Sequence, residues 1–263
     1  MKTQYFVLFT LCLLLSLSTF GQSNGRMETD RPDQTESPYI TKSRYLQAEF
    51  GFNYERVDGQ TQWVHPTVLW KYGLDKRFEF RLITELQSAG GESGLLPIQI
   101  GGKVSLLEEK GLTPKTSLIA HVGIPEIGQP AFKISKWAPN FRFTFQNTLS
   151  EQAALGYNFG AEWDGASNTP DWIYTFAPGI NVGENGYAYV EAYGSVRKGS
   201  SPKHSLAGGV AYYLSDDTKL DFSGSYGLTK AATDFYLAIG FSFRAPTATK
   251  RISAKPAKSF ARY

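Results

Sequence analysis

Eleven charged side chains fall on one face of a series of alternating segments: Glu49, Glu55, Glu79, Arg81, Glu85, Lys103, Arg142, Glu162, Glu191, Asp221 and Asp234. Acids and bases mixed in this way serve either of two ends. They line a wet passage that sorts solutes by charge, or they pair with one another and fill a closed interior; the residue types alone leave both open. Catalysis would need different groups. The three histidines, His65, His121 and His204, are too scattered in sequence for metal ligation. His121 lies mid-segment on the charged face, and either it or the pair His204–Ser205 is where a membrane-embedded hydrolase would place its catalytic groups. The chain has no nucleophile elbow, phosphate loop or dinucleotide fingerprint. The sequence therefore predicts no catalytic residue, no metal and no cofactor, and leaves a lipid hydrolase or a purely structural protein as alternatives.

The elements that must position these charges are strands. Twelve segments of about ten residues alternate with a period of two: Tyr45–Val57, Gln62–Tyr72, Phe78–Ser88, Ile98–Leu107, Lys115–Ile124, Asn140–Ser150, Gln152–Trp163, Asp171–Val182, Tyr187–Val196, Lys203–Tyr213, Thr218–Tyr226 and Thr233–Arg244. About 9 to 11 residues is the length a tilted strand needs to cross a bilayer. In the last segment Phe235, Leu237, Ile239, Phe241 and Phe243 alternate with Asp234, Tyr236, Ala238, Gly240 and Ser242. The sixth sets Phe141, Phe143 and Phe145 against Arg142, Thr144 and Gln146, and in the ninth Tyr187, Tyr189, Glu191 and Tyr193 share the polar side. An apolar face on every strand, in an even number of strands, predicts an all-β fold: a transmembrane antiparallel up-and-down β-barrel of about twelve strands. A secreted soluble β-sandwich that binds a ligand is the second alternative, and it would need another sheet to cover all those apolar side chains.

Connections support an orientation. With a periplasmic N-terminus, the turns at residues 73–77, around 151, at 183–186 and at 215–217 are short, whereas those at 89–97, 125–139, 164–170 and 198–202 are longer. The turn at 108–114 and the short one at 58–61 depart from this rule. Trp63, Trp163 and Trp172 fall at outer strand ends, and Trp70 with Tyr72 at an inner one, as interfacial aromatic belts require.

Composition agrees with this organisation. Glycine occurs 26 times, aromatics make up 14% and charged residues 19%, a mixture suited to strands and tight turns. Residues 1–21 read as a signal peptide, with Lys2 before the apolar run Tyr5–Leu17 and small residues Thr19 and Gly21 before a cut at Gln22. That run is too short to span a membrane as a helix. The one cysteine, Cys12, lies inside it, so the mature chain is expected to contain no disulfide or thiol site. Residues 22–44 form a polar periplasmic N-terminal segment, residues 45–244 the barrel, and residues 245–263 a basic flexible tail carrying Lys250, Arg251, Lys255, Lys258 and Arg262. The net charge of +3 resides in that tail rather than on a folded face, which argues against nucleic acid as a partner. The expected partners are outer-membrane lipids, the barrel-assembly machinery and a small-molecule solute whose identity the sequence leaves open; the expected location is the bacterial outer membrane.

The run Glu28-Thr29-Asp30-Arg31-Pro32, then Thr35-Glu36-Ser37-Pro38, then Gln47 and Glu49, resembles the outer-membrane β-barrel family of phenol meta-pathway degradation proteins, which are described as transporters. The resemblance implies a channel or transporter for small, hydrophobic or aromatic solutes rather than an enzyme. Ser43 and Arg44 stand where that family is expected to carry a glycine before the first strand. Small inward residues at Ala207, Gly209, Ala211, Ala238 and Gly240 leave space in the interior. The segment Asp30-Arg31-Pro32 is expected to fold back into the periplasmic mouth as a plug, with Asp30 and Arg31 pairing with inward charges.

Overall fold

Side chains that alternate between water and hydrocarbon are satisfied only by a sheet without free edges, because unpaired backbone groups are intolerable in lipid. A computed structural model describes residues 25–247 of the 263; the leader and most of the basic tail lie outside them. The strands are β1 Tyr45–Val57, β2 Gln60–Gly73, β3 Phe78–Ala89, β4 Glu92–Leu95, β5 Gln99–Leu107, β6 Lys115–Gly123, β7 Ala138–Thr148, β8 Ala153–Glu162, β9 Asp171–Val182, β10 Gly186–Val196, β11 Lys203–Ser215, β12 Thr218–Gly227 and β13 Phe235–Pro246. Each long strand pairs antiparallel with its sequence neighbours, β3 passing over β4 to pair with β5. The ring closes through β1 and β13, with Ala48 opposite Phe243 and Gly51 opposite Gly240. The result is a closed twelve-stranded barrel, with β4 added as a short hairpin on β3 at the outer-loop end.

The twelve predicted segments are the twelve barrel strands, with no end displaced by more than two residues. The hairpin strand β4 is missing from the sequence reading, which takes 89–97 as plain loop; four residues are too few to show a period. Along β13, Leu237, Ile239 and Phe241 are exposed while Tyr236, Ala238 and Ser242 are buried. This outward apolar surface, on strands that close into a single ring, rules out the soluble sandwich.

Two local features set the register. The β1–β2 connection is a two-residue turn in which Asp58 and Gly59 both have positive φ, 49° and 74°, the Asp-Gly turn whose twist suits a hairpin. In β2 the pairing with β3 slips between Val64 and Thr67, where Pro66 has no N–H to give to a ladder. The extra residue shifts the alternation, so that Lys71 points inward although a count from Gln62 would turn it out. At the barrel entrance Arg44 has φ 62°, a left-handed conformation that glycine adopts without strain. That is why a glycine is the expected residue beside this position.

Ile239, 57% exposed in the middle of β13, gives a direct test of the outer face. Replacing it with arginine should cost roughly 2–4 kcal/mol, the penalty for a cation at mid-bilayer, measured by urea titration of refolding in phosphatidylcholine vesicles. An unchanged midpoint would mean that this face does not meet lipid.

Candidate functional site

An irregular chain inside a barrel faces a bonding problem, since it has no strand neighbour to accept its backbone N–H groups. Residues 25–44 meet it with wall carboxylates. Glu49 accepts from the N–H groups of Asp30 and Arg31 at 2.9 and 3.1 Å, Glu191 from Gln34 at 3.0 Å, and Glu79 from Thr41 at 2.6 Å. Asn158 holds the main chain of Glu36 from both sides: its Oδ1 accepts from the Glu36 N–H at 2.7 Å and its Nδ2 donates to the Glu36 carbonyl at 3.0 Å. The segment enters beside the β11–β12 turn, where the Met27 N–H donates to the Asp216 carbonyl. It crosses the lumen and returns to β1 through Lys42 and Ser43, next to Gly73.

Asp30 is the centre of this arrangement. Its carboxylate takes Lys71 Nζ at 2.9 Å, Arg81 Nη1 at 3.0 Å and Lys103 Nζ at 3.0 Å, contributed by β2, β3 and β5. Each cation also has a carboxylate of the wall or segment: Lys71 has Glu49 at 2.5 Å, Lys103 has Glu79 at 3.8 Å, and Arg81 has Glu79 at 3.3 Å and Glu36 at 2.5 Å. All three cationic side chains are at most 2% exposed. Burial alone would raise the Asp30 carboxyl, but Lys103, Lys71 and Arg81 hold it well below the usual carboxylate range. Asp33 differs: burial, with Glu191 nearby, pushes its carboxyl well above that range.

Arg31 answers the space left by small residues. Its Nη2 pairs with Asp221 at 3.0 Å. The guanidinium lies over the cross-strand glycines Gly51 and Gly240, where a Cβ on either would collide with it. Pro32 is buried beside it. Lys219 Nζ donates to Thr29 Oγ1 and the Arg31 carbonyl.

Of the inward charges expected from parity, Glu49, Glu79, Arg81, Lys103, Glu191 and Asp221 gather around the segment. Arg142 donates to Glu162 Oε1 at 2.8 Å and to the Gln34 carbonyl at 2.7 Å. Glu85 bonds Thr67 Oγ1 at 3.1 Å, and Glu55 accepts from the Gln62 amide at 2.7 Å. Asp234 stands one residue before β13, where its main chain still bonds Arg56 and Gly227, and its carboxylate accepts from the Gly59 N–H at 2.9 Å, so it fastens the β1–β2 turn at the end of the barrel. The sequence reading misses Lys71, because of the bulge, and Lys219, which shares the parity of Asp221 but stands one residue inside its strand. The pair proposed for hydrolysis does not assemble, since Ser205 is buried inward while His204 faces out to bond the Tyr174 hydroxyl at 2.8 Å. His121 Nε2 accepts from Arg81 Nε at 3.1 Å and Nδ1 meets Asn140 Oδ1 at 3.2 Å.

Two cavities flank the segment. One of about 400 Å³ lies toward the short turns, lined by Asp33, Gly156, Gly179, Tyr187 and Lys219 among others. The second, about 370 Å³, lies toward the long loops, where Ile83, Ile119, Ile134 and Trp163 sit beside Gln99 and Arg142. Glu36 lines both.

The family model described as "Putative MetA-pathway of phenol degradation" matches residues 29–245. Among solved structures, an outer-membrane channel from Pseudomonas putida F1 is similar at TM-score 0.59 and 12% identity, covering 83% of this chain and 100% of that one. KdgM porin in complex with disordered oligogalacturonate is similar at 0.53 and 9% identity, covering 74% and 98%. NanC porin follows at 0.50 and 8%, covering 75% and 98%. These likenesses show the outer-membrane barrel fold. No curated protein matches the chain in sequence.

Asp30→Asn should free the segment and spare the barrel, because every wall cation keeps a second carboxylate while the segment loses its anchor. The hydrogen bonds to charged groups that it loses are worth roughly 1.5–3 kcal/mol each, which should appear as lost hydrogen-exchange protection across residues 29–41 with strand protection unchanged. The pH dependence has two signs. Asp30 supports docking fully above its unfolded value of about 3.9 and loses that contribution as pH falls through its depressed docked value. Asp33, raised in the docked state, opposes docking as pH rises through its docked value. Asp33→Asn should therefore increase segment protection at pH 8, after correction for intrinsic exchange, and change little at pH 4; the reverse order would contradict these assignments.

Proposed function

This chain belongs to the family described as a pathway of phenol degradation, and from that membership we propose that it is an outer-membrane channel or transporter for small solutes. The observation that carries the reading is the pair of cavities, about 400 and about 370 Å³, that open toward opposite ends of one closed barrel and share one lining residue, Glu36. A structural barrel gains nothing from such chambers. Their lining supports a solute with both an apolar and a polar side, since Ile83, Ile119, Ile134 and Trp163 share the outer chamber with Gln99, Asn140 and Arg142. Hydrophobic or aromatic compounds with a hydrogen-bonding group fit that description.

In this reading residues 25–44 are a plug that sets the width of the passage, and the charges that hold it are pore-lining groups only where it leaves them free. The hydrolase alternative has less support. A histidine base must reach a hydroxyl nucleophile, whereas both ring nitrogens of His121 are engaged by Arg81 and Asn140. The apolar run of residues 1–21 is the signal for export, and the outer membrane, its lipids and the barrel-assembly machinery are then the setting and partners of the mature protein.

Deletion of Met27–Pro38 tests this function. The purified full-length protein should show heat-modifiable gel migration and small single-channel conductance in planar bilayers, and the deletion variant should keep the former while its conductance rises severalfold. A folded deletion variant that passes no more current than the parent would exclude the plug, and silence from both would point to a barrel that does not conduct.

A further inference from the structure

The carboxylate of Glu36 occupies a position unlike that of any other acid in the lumen. Its Oε2 accepts from Arg81 Nη2 at 2.5 Å, and Oε1 lies 3.8 Å from Arg142 Nη1. Two guanidiniums from β3 and β7, three strands apart around the wall, thus converge on the one carboxylate whose residue lines both cavities. Forked guanidiniums are the side chains best suited to binding a carboxylate.

Several facts make Glu36 the ligand most easily removed. Around Arg81, the side chains of Asp30 and Glu79 are 3% and 0% exposed, whereas that of Glu36 is 19% exposed. Arg81 would keep Asp30 and Glu79 if Glu36 left, and Arg142 would keep Glu162 and the Gln34 carbonyl. The main chain of Glu36 is fixed independently by the two bonds to Asn158. Rotation about side-chain bonds is therefore enough to withdraw the carboxylate, with the segment still docked. What it leaves is Arg81 Nη2 without its acceptor and Arg142 without that nearby charge, Arg142 sharing its cavity with the apolar wall of Ile83, Ile119, Ile134 and Trp163.

We propose that Glu36 is a tethered stand-in for the solute: Arg81 and Arg142 form a binding site for the carboxylate of a small organic acid, which displaces the Glu36 side chain as it passes between the two chambers. No covalent step is involved. One carboxylate replaces another at the guanidiniums, so the charge bound there is conserved. This names the solute class for the channel reading and rests on it for its biological role, although binding itself does not require conduction.

The test uses the full chain in detergent, with benzoate as probe and benzamide as its neutral analogue, and reads binding by calorimetry. Glu36→Ala removes the internal competitor. Benzoate should then bind about tenfold or more tightly than to the parent, the factor that one charge-assisted hydrogen bond is worth, and benzamide should be unaffected. Adding Arg142→Met to Glu36→Ala should return benzoate to the weak binding of the parent. Heat-modifiable migration checks that each variant is folded, and Glu36→Gln, which keeps the side-chain volume, serves if Glu36→Ala is not. Equal gains for benzoate and benzamide, or no gain for benzoate in a folded variant, would overturn the proposal. Tight, Arg142-dependent benzoate binding by a protein that is silent in bilayers would sustain the site and remove the channel reading instead.

Discussion

One carboxylate, that of Asp30, is bound at 2.9–3.0 Å by lysine, arginine and lysine from three different strands, and the organisation of the lumen depends on it. Charges removed from water are tolerated only when they are paired and hydrogen-bonded. Lys71, Arg81 and Lys103 are buried to within 2% of completely, so the barrel wall must supply anions, and it does so with Glu49 and Glu79. Those two carboxylates would pair the wall with itself. Instead they also accept backbone N–H groups of the N-terminal segment, which makes the segment a part of the wall's charge balance.

From this constraint the remaining geometry follows. Because the segment is held through Asp30 on the side of β2, β3 and β5, and through Glu191 and Asn158 on the opposite side, it spans the lumen and divides it. Small residues supply the clearance: Arg31 lies over Gly51 and Gly240, and Thr35 against Gly156. The volume that small inward residues open is therefore partly filled by the segment, and what it leaves is two chambers that share Glu36 in their walls. Outside, a continuous apolar surface carries Phe52, Phe159, Phe222 and Ile239 toward lipid. The barrel thus separates the two solvents that each strand was patterned for.

Much of this was legible in the residues. Alternation gives twelve strands and their inward sets because a period of two survives wherever a strand is regular. It fails at Pro66, where a bulge reverses the parity and hides Lys71, and at β4, where four residues cannot establish a period. The expectation that Asp30 and Arg31 meet inward charges comes from their sequence run and its resemblance to a family. The identity of their partners could not come from sequence, since Lys71, Arg81, Lys103 and Asp221 are brought together by barrel closure over separations of 41 to 190 residues. Nor could the role of Glu191 and Glu49 as acceptors for backbone N–H groups, which needs the path of the segment.

In the native membrane the segment rests inside the barrel. The one cysteine of the chain, Cys12, belongs to the predicted leader, so a pair of cysteines introduced at Thr35 and Thr175, whose hydroxyls are 2.7 Å apart, would report on this contact alone. Thr35→Cys with Thr175→Cys should form an intramolecular disulfide in intact outer membranes under mild oxidation, and each single variant should form none. Two free thiols on a folded barrel, both open to a small maleimide after oxidation, would contradict it.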